Sequence, residues 1–220
     1  LTFVGEQGIY KTTFFKKLLP PVLKRYFYTK INGGTLTKDD RLTLAEMLVI
    51  CFEEIDNMRL PEVNQLKAII TMENTNERAP YMRNKDFRPH IASFCATGNN
   101  YHFLSDDTGS RRWRVFRVTG IDNPYKNPIF HEGLYSQALS LYREGFCYWY
   151  TNEENLRINL QNREFEEPNI EEELICSRFR PPVLGEAGKY ISTAEIMECI
   201  GSMIKYPLSK NRVLRAMETL

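Results

Sequence analysis

Leu1-Thr2-Phe3-Val4-Gly5-Glu6-Gln7-Gly8-Ile9-Tyr10-Lys11-Thr12-Thr13 opens the chain, and the reading of this stretch decides the fold. Leu1 to Val4 is a short apolar run, and a glycine-bearing segment follows at once. Phe14, Phe15, Leu18 and Leu19 then recur at helical spacing until Pro20-Pro21 stops the helix. Strand, glycine turn and helix in that order are the setting of a phosphate-binding loop. In such a loop backbone N–H groups cradle phosphate, a lysine reaches the β- and γ-phosphates, and a hydroxyl meets Mg²⁺. Gly5, Gly8, Lys11 and Thr12, with Thr13 behind them, fit that pattern. Tyr10 stands where the second motif glycine belongs. A residue with a β-carbon there must tolerate the tight turn at some strain or impose a different one. Taken alone, the same residues also suit a plain strand-to-helix turn with a solvated lysine.

Working outward, Leu48 to Phe52 is an uninterrupted apolar run, as expected of a strand buried on both faces of a parallel sheet. It ends in Glu53-Glu54, with Asp56 close behind. A magnesium ATPase needs one acid for the metal and its water shell and another to orient the attacking water. Glu53 suits the metal and Glu54 the water, and the two are exchangeable because the strand end is not fixed to one residue. A solvated strand-end loop is the bland alternative. Pro61 to Met72 reads as an amphipathic helix with proline at its start. Ile91 to Ala96 is another apolar strand, and it runs into Thr97-Gly98-Asn99-Asn100, where the Asn99 amide is placed to bond a γ-phosphate or a water.

Between these, residues 74 to 90 are polar and read as a loop or irregular hairpin. Arg78, Arg83, Lys85 and Arg88 interleave there with Tyr81 and Phe87, a composition suited to nucleic-acid backbone contact and base stacking. A surface neutralised by Glu73, Glu77 and Asp86 is equally compatible. A Gly109-Ser110 turn leads into Arg111-Arg112 and a β-prone run to Val118. Arginine forks stabilise charge on a transferring phosphoryl group. A structural cluster with Asp106 and Asp107 is the competing reading.

Leu134 to Tyr142 and Glu153 to Leu160 read as helices, and 181 to 188 as a linker. Ser192-Thr193-Ala194-Glu195 matches a capping box, and Ser209 caps a further helix with Val213, Leu214 and Met217 on one face. The tail suits two helices of a winged helix-turn-helix, or equally a plain helical bundle.

The 220-residue chain has ordinary composition, 42% hydrophobic and 26% charged, which excludes a disordered chain. A net charge of +1 means that any contact with nucleic acid rests on local patches. Five cysteines without CxxC spacing argue against a zinc site or a disulfide framework and fit a reducing cytoplasm. No apolar run approaches the roughly 18 residues of a membrane span, and no signal peptide opens the chain. Opening inside a strand and stopping inside a helical pattern, the sequence reads as a piece of a longer protein.

The order Gly5 to Phe14, Glu53-Glu54-Ile55-Asp56, Leu66-Lys67-Ala68, Glu77 to Arg83, Ala96-Thr97-Gly98-Asn99 and Leu104 to Arg112 resembles the virulence-associated protein E family. That family is similar to superfamily 3 helicases and sits beside primase modules on phages and mobile elements. The resemblance covers residues 1 to about 150. It implies an α/β fold, a P-loop NTPase of the ASCE/AAA+-like kind with a parallel sheet core and a C-terminal helical, winged-helix-like appendage. The expected division is an ATPase core over 1–120, a helical extension over 121–180 and an incomplete winged helix over 186–220. The resemblance assigns Gly5, Gly8, Lys11, Thr12 and Thr13 to ATP, Thr12 and Glu53 to Mg²⁺, Glu54 and Asn99 to the reaction, and Arg111 or Arg112 to an arginine finger. It implies a homo-oligomeric ring acting on single- or double-stranded DNA, with a primase domain attached or in trans. A non-hydrolysing module that binds nucleotide and DNA is the alternative that Tyr10 favours. A small-molecule kinase is a third reading, less consistent with the paired arginines.

Overall fold

The computed structural model describes all residues of the chain except 32–36, 79–80, 105–109, 184 and 206. The Pro80 segment, the Asp106–Asp107 pair, Gly109 of the turn and Leu184 of the linker therefore lie outside the described residues. Two compact units divide the chain, Leu1–Glu166 and Glu167–Leu220.

The first unit is an α/β structure. Strand β1 (Thr2–Val4) leads through the glycine loop into helix α1 (Lys11–Leu18), and Pro21 opens a 3-10 turn that delivers β2 (Phe27–Ile31). Helix α2 (Lys38–Thr43), β3 (Val49–Glu53) and α3 (Leu60–Ile70) follow. Strands β4 (Asn74–Glu77) and β5 (Asp86–Pro89) form an antiparallel hairpin. Then come β6 (Ser93–Gly98), β7 (Val115–Arg117), α4 (His131–Arg143) and α5 (Asn152–Asn162). The main sheet has the order β2-β3-β6-β1-β7, with every pairing parallel.

Both faces of this sheet are covered, as the apolar run at 48–52 demands. Ile50, Phe52 and Ala96 pack with Leu66 and Ile69 of α3, with Leu104 and with Trp113. The alternate residues Cys51 and Cys95 pack with Phe15 of α1, against Phe3 and Phe27. The Phe3 and Phe15 ring centroids lie 4.5 Å apart. Full burial of one such phenylalanine stabilises by about 1.5–3 kcal/mol.

The observed elements differ from the sequence expectations in a few places. The Ile91 strand begins at Ser93, and of the 111–118 run only Val115–Arg117 is strand. Residues 74–77 and 86–89, expected as part of a loop or irregular hairpin, pair in regular antiparallel register. Edge strand β2 and the short α2 carry no period strong enough to read, and β2 owes its conformation to pairing with β3.

In the second unit, α6 (Ile170–Arg178), α7 (Thr193–Gly201) and α8 (Lys210–Thr219) pack around Ile175, Ile196, Ile200, Val213 and Ala216. The Ser192–Glu195 capping box is formed, with the Glu195 N–H donating to Ser192 Oγ and the Ser192 N–H to Glu195 Oε2. Ser209 occupies the cap position of α8, but its side chain makes no cap hydrogen bond. The packed face of α8 is Val213 with Ala216, while Leu214 and Met217 are exposed. The helical period placed the stripe one position off because Ala216, small enough for close approach, takes the interior place. Among the described residues no helix is long and apolar enough to cross a membrane.

Candidate functional site

Parallel strands bring their carboxyl ends to one edge, and three of those ends carry the residues singled out above. Val4 pairs with Gly98, and Phe52 with Ala96. The glycine loop, Glu53-Glu54 and Asn99 therefore emerge side by side, where open α/β sheets bind ligands. They line a cleft of about 310 Å³ together with Tyr10, Thr12, Thr13 and the buried Thr97. That volume lies at the small end of the range for ligand pockets.

Each glycine of the loop has its own reason. A Cβ on Gly5 would stand 2.2 Å from the Val118 carbonyl oxygen, so only glycine lets these strands close up. Gly8 has φ +87°, in the left-handed region. Tyr10 adopts that region as well, with φ 67° and ψ 19°. It tolerates the conformation a glycine would take there, at roughly 1–2 kcal/mol for an L-residue. Its hydroxyl accepts from Asn123 Nδ2 at 3.4 Å, and its carbonyl accepts the first helical bond, from Phe14 N. No side chain caps α1, which leaves its first-turn N–H groups facing the cleft as donors for an anion.

Lys11 is 7% exposed. Its ammonium donates to the Gly5 carbonyl at 2.6 Å, the Glu6 carbonyl at 2.6 Å and Asn99 Oδ1 at 3.1 Å. Burial pulls its pKa below the usual lysine value, and the Asp56 carboxylate opposes that shift. The lysine and the Asn99 amide that follows β6, expected on separate grounds, are in direct contact.

Regular strand geometry would aim Glu53 and Glu54 to opposite faces. Glu54 instead takes φ 53° and ψ 46°, which turns the chain into a 3-10 turn at Ile55–Asn57. Both carboxylates consequently line the same cleft. The turn also sets Asp56 beneath the end of β6, where its carboxylate accepts from the Asn99 N–H at 3.2 Å and the Asn100 N–H at 3.1 Å. Asp56 thus fixes the segment that carries Asn99. The sequence showed the acid but offered no partner for it.

One cation, uncapped N–H donors, two carboxylates, a threonine hydroxyl and an amide make a donor set of hard oxygens and hydrogen-bond donors. Such a set suits a polyanion accompanied by a small divalent cation. Thr12 and Glu53 could supply oxygen ligands to that metal.

The other predicted residues lie elsewhere. Arg111 and Arg112 are exposed in a turn before β7, at the amino ends of the strands, where Val115 pairs with Thr2. The turn is clamped by the buried Asn162 of α5, whose Nδ2 donates to the Ser110 carbonyl and to the Trp113 carbonyl at 2.9 Å. No local sequence signal marks this clamp, because its partners are far apart in the chain. Arg78, Arg83 and Lys85 are exposed at the hairpin, with Tyr81 and Phe87 also exposed. Arg88 differs, as it pairs with Glu46 at 3.1 Å and with Asp86 at 3.0 Å. Glu77 is taken by Arg41 at 2.6 Å, so it does not neutralise the hairpin tip.

The family model described as virulence-associated protein E-like domain matches residues 1–167. No curated protein matches the chain. Among solved structures, the chain is similar to the A form apo structure of the NrS-1 C terminal region, with 17% identity and a TM-score of 0.40, covering 74% of this chain and 33% of that one. A second A form structure of that region matches at 17% identity and TM-score 0.43, over 74% and 34% of the two chains. A further apo structure matches at 18% and 0.43, over 74% and 35%. The chain spans about a third of the length of these structures.

Proposed function

The chain belongs to the virulence-associated protein E-like domain family, and from that premise we propose that it is the ATP-binding and ATP-hydrolysing core of a DNA helicase or replication-initiation ATPase of a phage or mobile element, working as an oligomer. The observation that carries this reading is the convergence of Lys11, Thr12, Glu53, Glu54 and Asn99 on one cleft. One strand, β6, stands between the loop strand and the acidic strand, in keeping with an ASCE-type P-loop core.

In this reading the triphosphate lies along the loop and the N-terminus of α1. Lys11 exchanges its two carbonyl bonds for β- and γ-phosphate oxygens. Its bond to Asn99 lets the amide report whether the γ-phosphate is present. Thr12 and Glu53 would hold Mg²⁺, and the ion would neutralise charge on the phosphates. Glu54 orients and deprotonates the attacking water, with the exchange of roles between Glu53 and Glu54 left to experiment. The exposed cations of the β4–β5 hairpin contact DNA, single- or double-stranded, while Tyr81 and Phe87 offer stacking surfaces. The helices of the second unit act as a winged-helix-like appendage, and a primase domain works alongside.

Steady-state ATP hydrolysis with and without single-stranded DNA tests the proposal. Wild type should turn over ATP, and Lys11→Ala should lose Mg-ATP binding while keeping its fold. Glu54→Gln should bind ATP but hydrolyse it roughly 10²–10⁴-fold more slowly. ATP affinity by calorimetry that is equal in wild type and Lys11→Ala would remove the central claim. The second reading, a non-hydrolysing nucleotide- and DNA-binding module, is favoured by Tyr10, and ATP binding without any turnover would select it.

A further inference from the structure

Beside the nucleotide cleft lies a second cavity, of about 460 Å³, between α1, the 3-10 turn at 21–26 and β2. The two share Thr12, Thr13 and Glu53. Their charge differs. The first cleft presents one lysine against two carboxylates, whereas the second presents Lys16, Lys17 and Lys24 against Glu53 alone. Among the described residues none of these three lysines has a carboxylate within ion-pair distance. Lys17 is held by the Tyr125 ring, with its ammonium 4.6 Å from the centroid. The helix C-terminus accounts for Lys16 and Lys17, since cations are favoured at a last turn. Lys24 stands in the last turn of the 3-10 helix and reaches the same cavity from that second element.

Three lysines lining one concave space, with Glu53 as the one carboxylate in its described lining, form a receptor for concentrated negative charge. We propose that this cavity binds a second phosphate-bearing ligand, a phosphate monoester or polyphosphate, beside the nucleotide. A terminal phosphate of a nucleic-acid strand and a free nucleotide both supply that chemistry. The shared wall at Thr12, Thr13 and Glu53 places this ligand beside the nucleotide site, a position that rests on the ATP reading above, whereas the cavity's own affinity for phosphate does not.

Calorimetric titration of the chain with inorganic tripolyphosphate separates the two sites. Wild type should show two sites per chain. Lys11→Ala should keep the cavity site, and Lys16→Ala/Lys24→Ala should keep the cleft site and lose the other. Each removed lysine should weaken the cavity site roughly tenfold or more. Both lysines are exposed, and an unchanged circular dichroism melt verifies the fold. In the Lys11→Ala protein, displacement of tripolyphosphate by a 5′-phosphorylated oligothymidylate, but not by its unphosphorylated form, identifies a strand end as the ligand. Displacement by ADP identifies a free nucleotide. Displacement by neither reduces the cavity to non-specific attraction and overturns the proposal. So does a Lys16→Ala/Lys24→Ala variant with unchanged number and affinity of sites. If instead Lys11→Ala alters nothing and the lysine pair removes the only site, the ATP reading of the cleft fails while this one stands.

Discussion

Two residues with β-carbons, Tyr10 and Glu54, occupy left-handed backbone at the rim of the cleft. Strain of this kind persists where the surroundings over-determine it and recurs at functional sites. At Tyr10 the backbone already has the shape a glycine would give, so Tyr10→Gly should leave the loop and Mg-ATP affinity close to wild type, within about tenfold. Hydrolysis rates of the two proteins then decide what the tyrosine does. Turnover that appears only in Tyr10→Gly would mean the natural chain is a binding module. In the ATPase reading Asp56 would act one step from the chemistry, through the Asn99 and Asn100 N–H groups that its carboxylate holds. Asp56→Asn keeps one acceptor oxygen and should preserve the fold. If the ATPase reading holds, it should slow kcat more than it raises KM, because it loosens the Asn99 amide that this reading assigns to the transition state. A rise in KM alone, with kcat unchanged, would make Asp56 a binding or purely structural residue.

Among the elements, the β4–β5 hairpin presents Arg78, Arg83 and Lys85 outward and uses Arg88 in two ion pairs. A triple alanine variant at the first three should bind DNA more weakly, independently of sequence. The slope of log affinity against log salt should fall by roughly 0.7–0.9 for each DNA phosphate that the variant no longer neutralises. Fluorescence anisotropy across a salt series reads this, and an unchanged slope would leave the hairpin as solvated surface. Helix α2 makes a different kind of prediction. Burial pushes the Asp40 carboxyl up, but the Lys30 ammonium and the Thr37 amide and hydroxyl outweigh it and hold it below its ordinary 3.8. The folded pKa is thus the lower one. The stabilisation is complete above the unfolded value and is lost as pH falls through the folded value. Thermal melts should drop below about pH 4, and Asp40→Asn should flatten that dependence while costing about 1–3 kcal/mol at neutral pH. An acid limb as steep in Asp40→Asn as in wild type would assign it to other carboxylates.

For the whole molecule, the parallel sheet separates the two halves of the proposed chemistry. The cleft lies at the carboxyl ends of the strands, and Arg111 and Arg112 sit at the amino ends, braced by Asn162. In the proposed oligomer, an arginine finger in this position would serve the site of a neighbouring chain. Arg111→Ala/Arg112→Ala and Lys11→Ala should each be inactive alone, the first by roughly 10³-fold or more in rate. Mixed at concentrations that assemble, they should regain part of the activity, since some interfaces then join an intact loop to an intact finger. No recovery from a mixture shown by light scattering to co-assemble would confine the arginines to bracing their own turn.

The sequence by itself determined the strand–loop–helix at 1–19, the strand at 48–52 and the identity of Lys11, Glu53, Glu54 and Asn99 as candidate site residues. These are local signals: a period of side chains, a glycine, a proline, a run of apolar residues. Only the tertiary structure decided that Glu53 and Glu54 share one cleft, because this depends on a left-handed turn that no residue type announces. It alone supplied Asp56 and Asn162 with their partners, brought Lys24 to the cavity that Lys16 lines and paired β2 at the sheet edge. Contacts between residues distant in the chain are fixed by sheet order and packing, and neither leaves a trace in the spacing of the residues concerned.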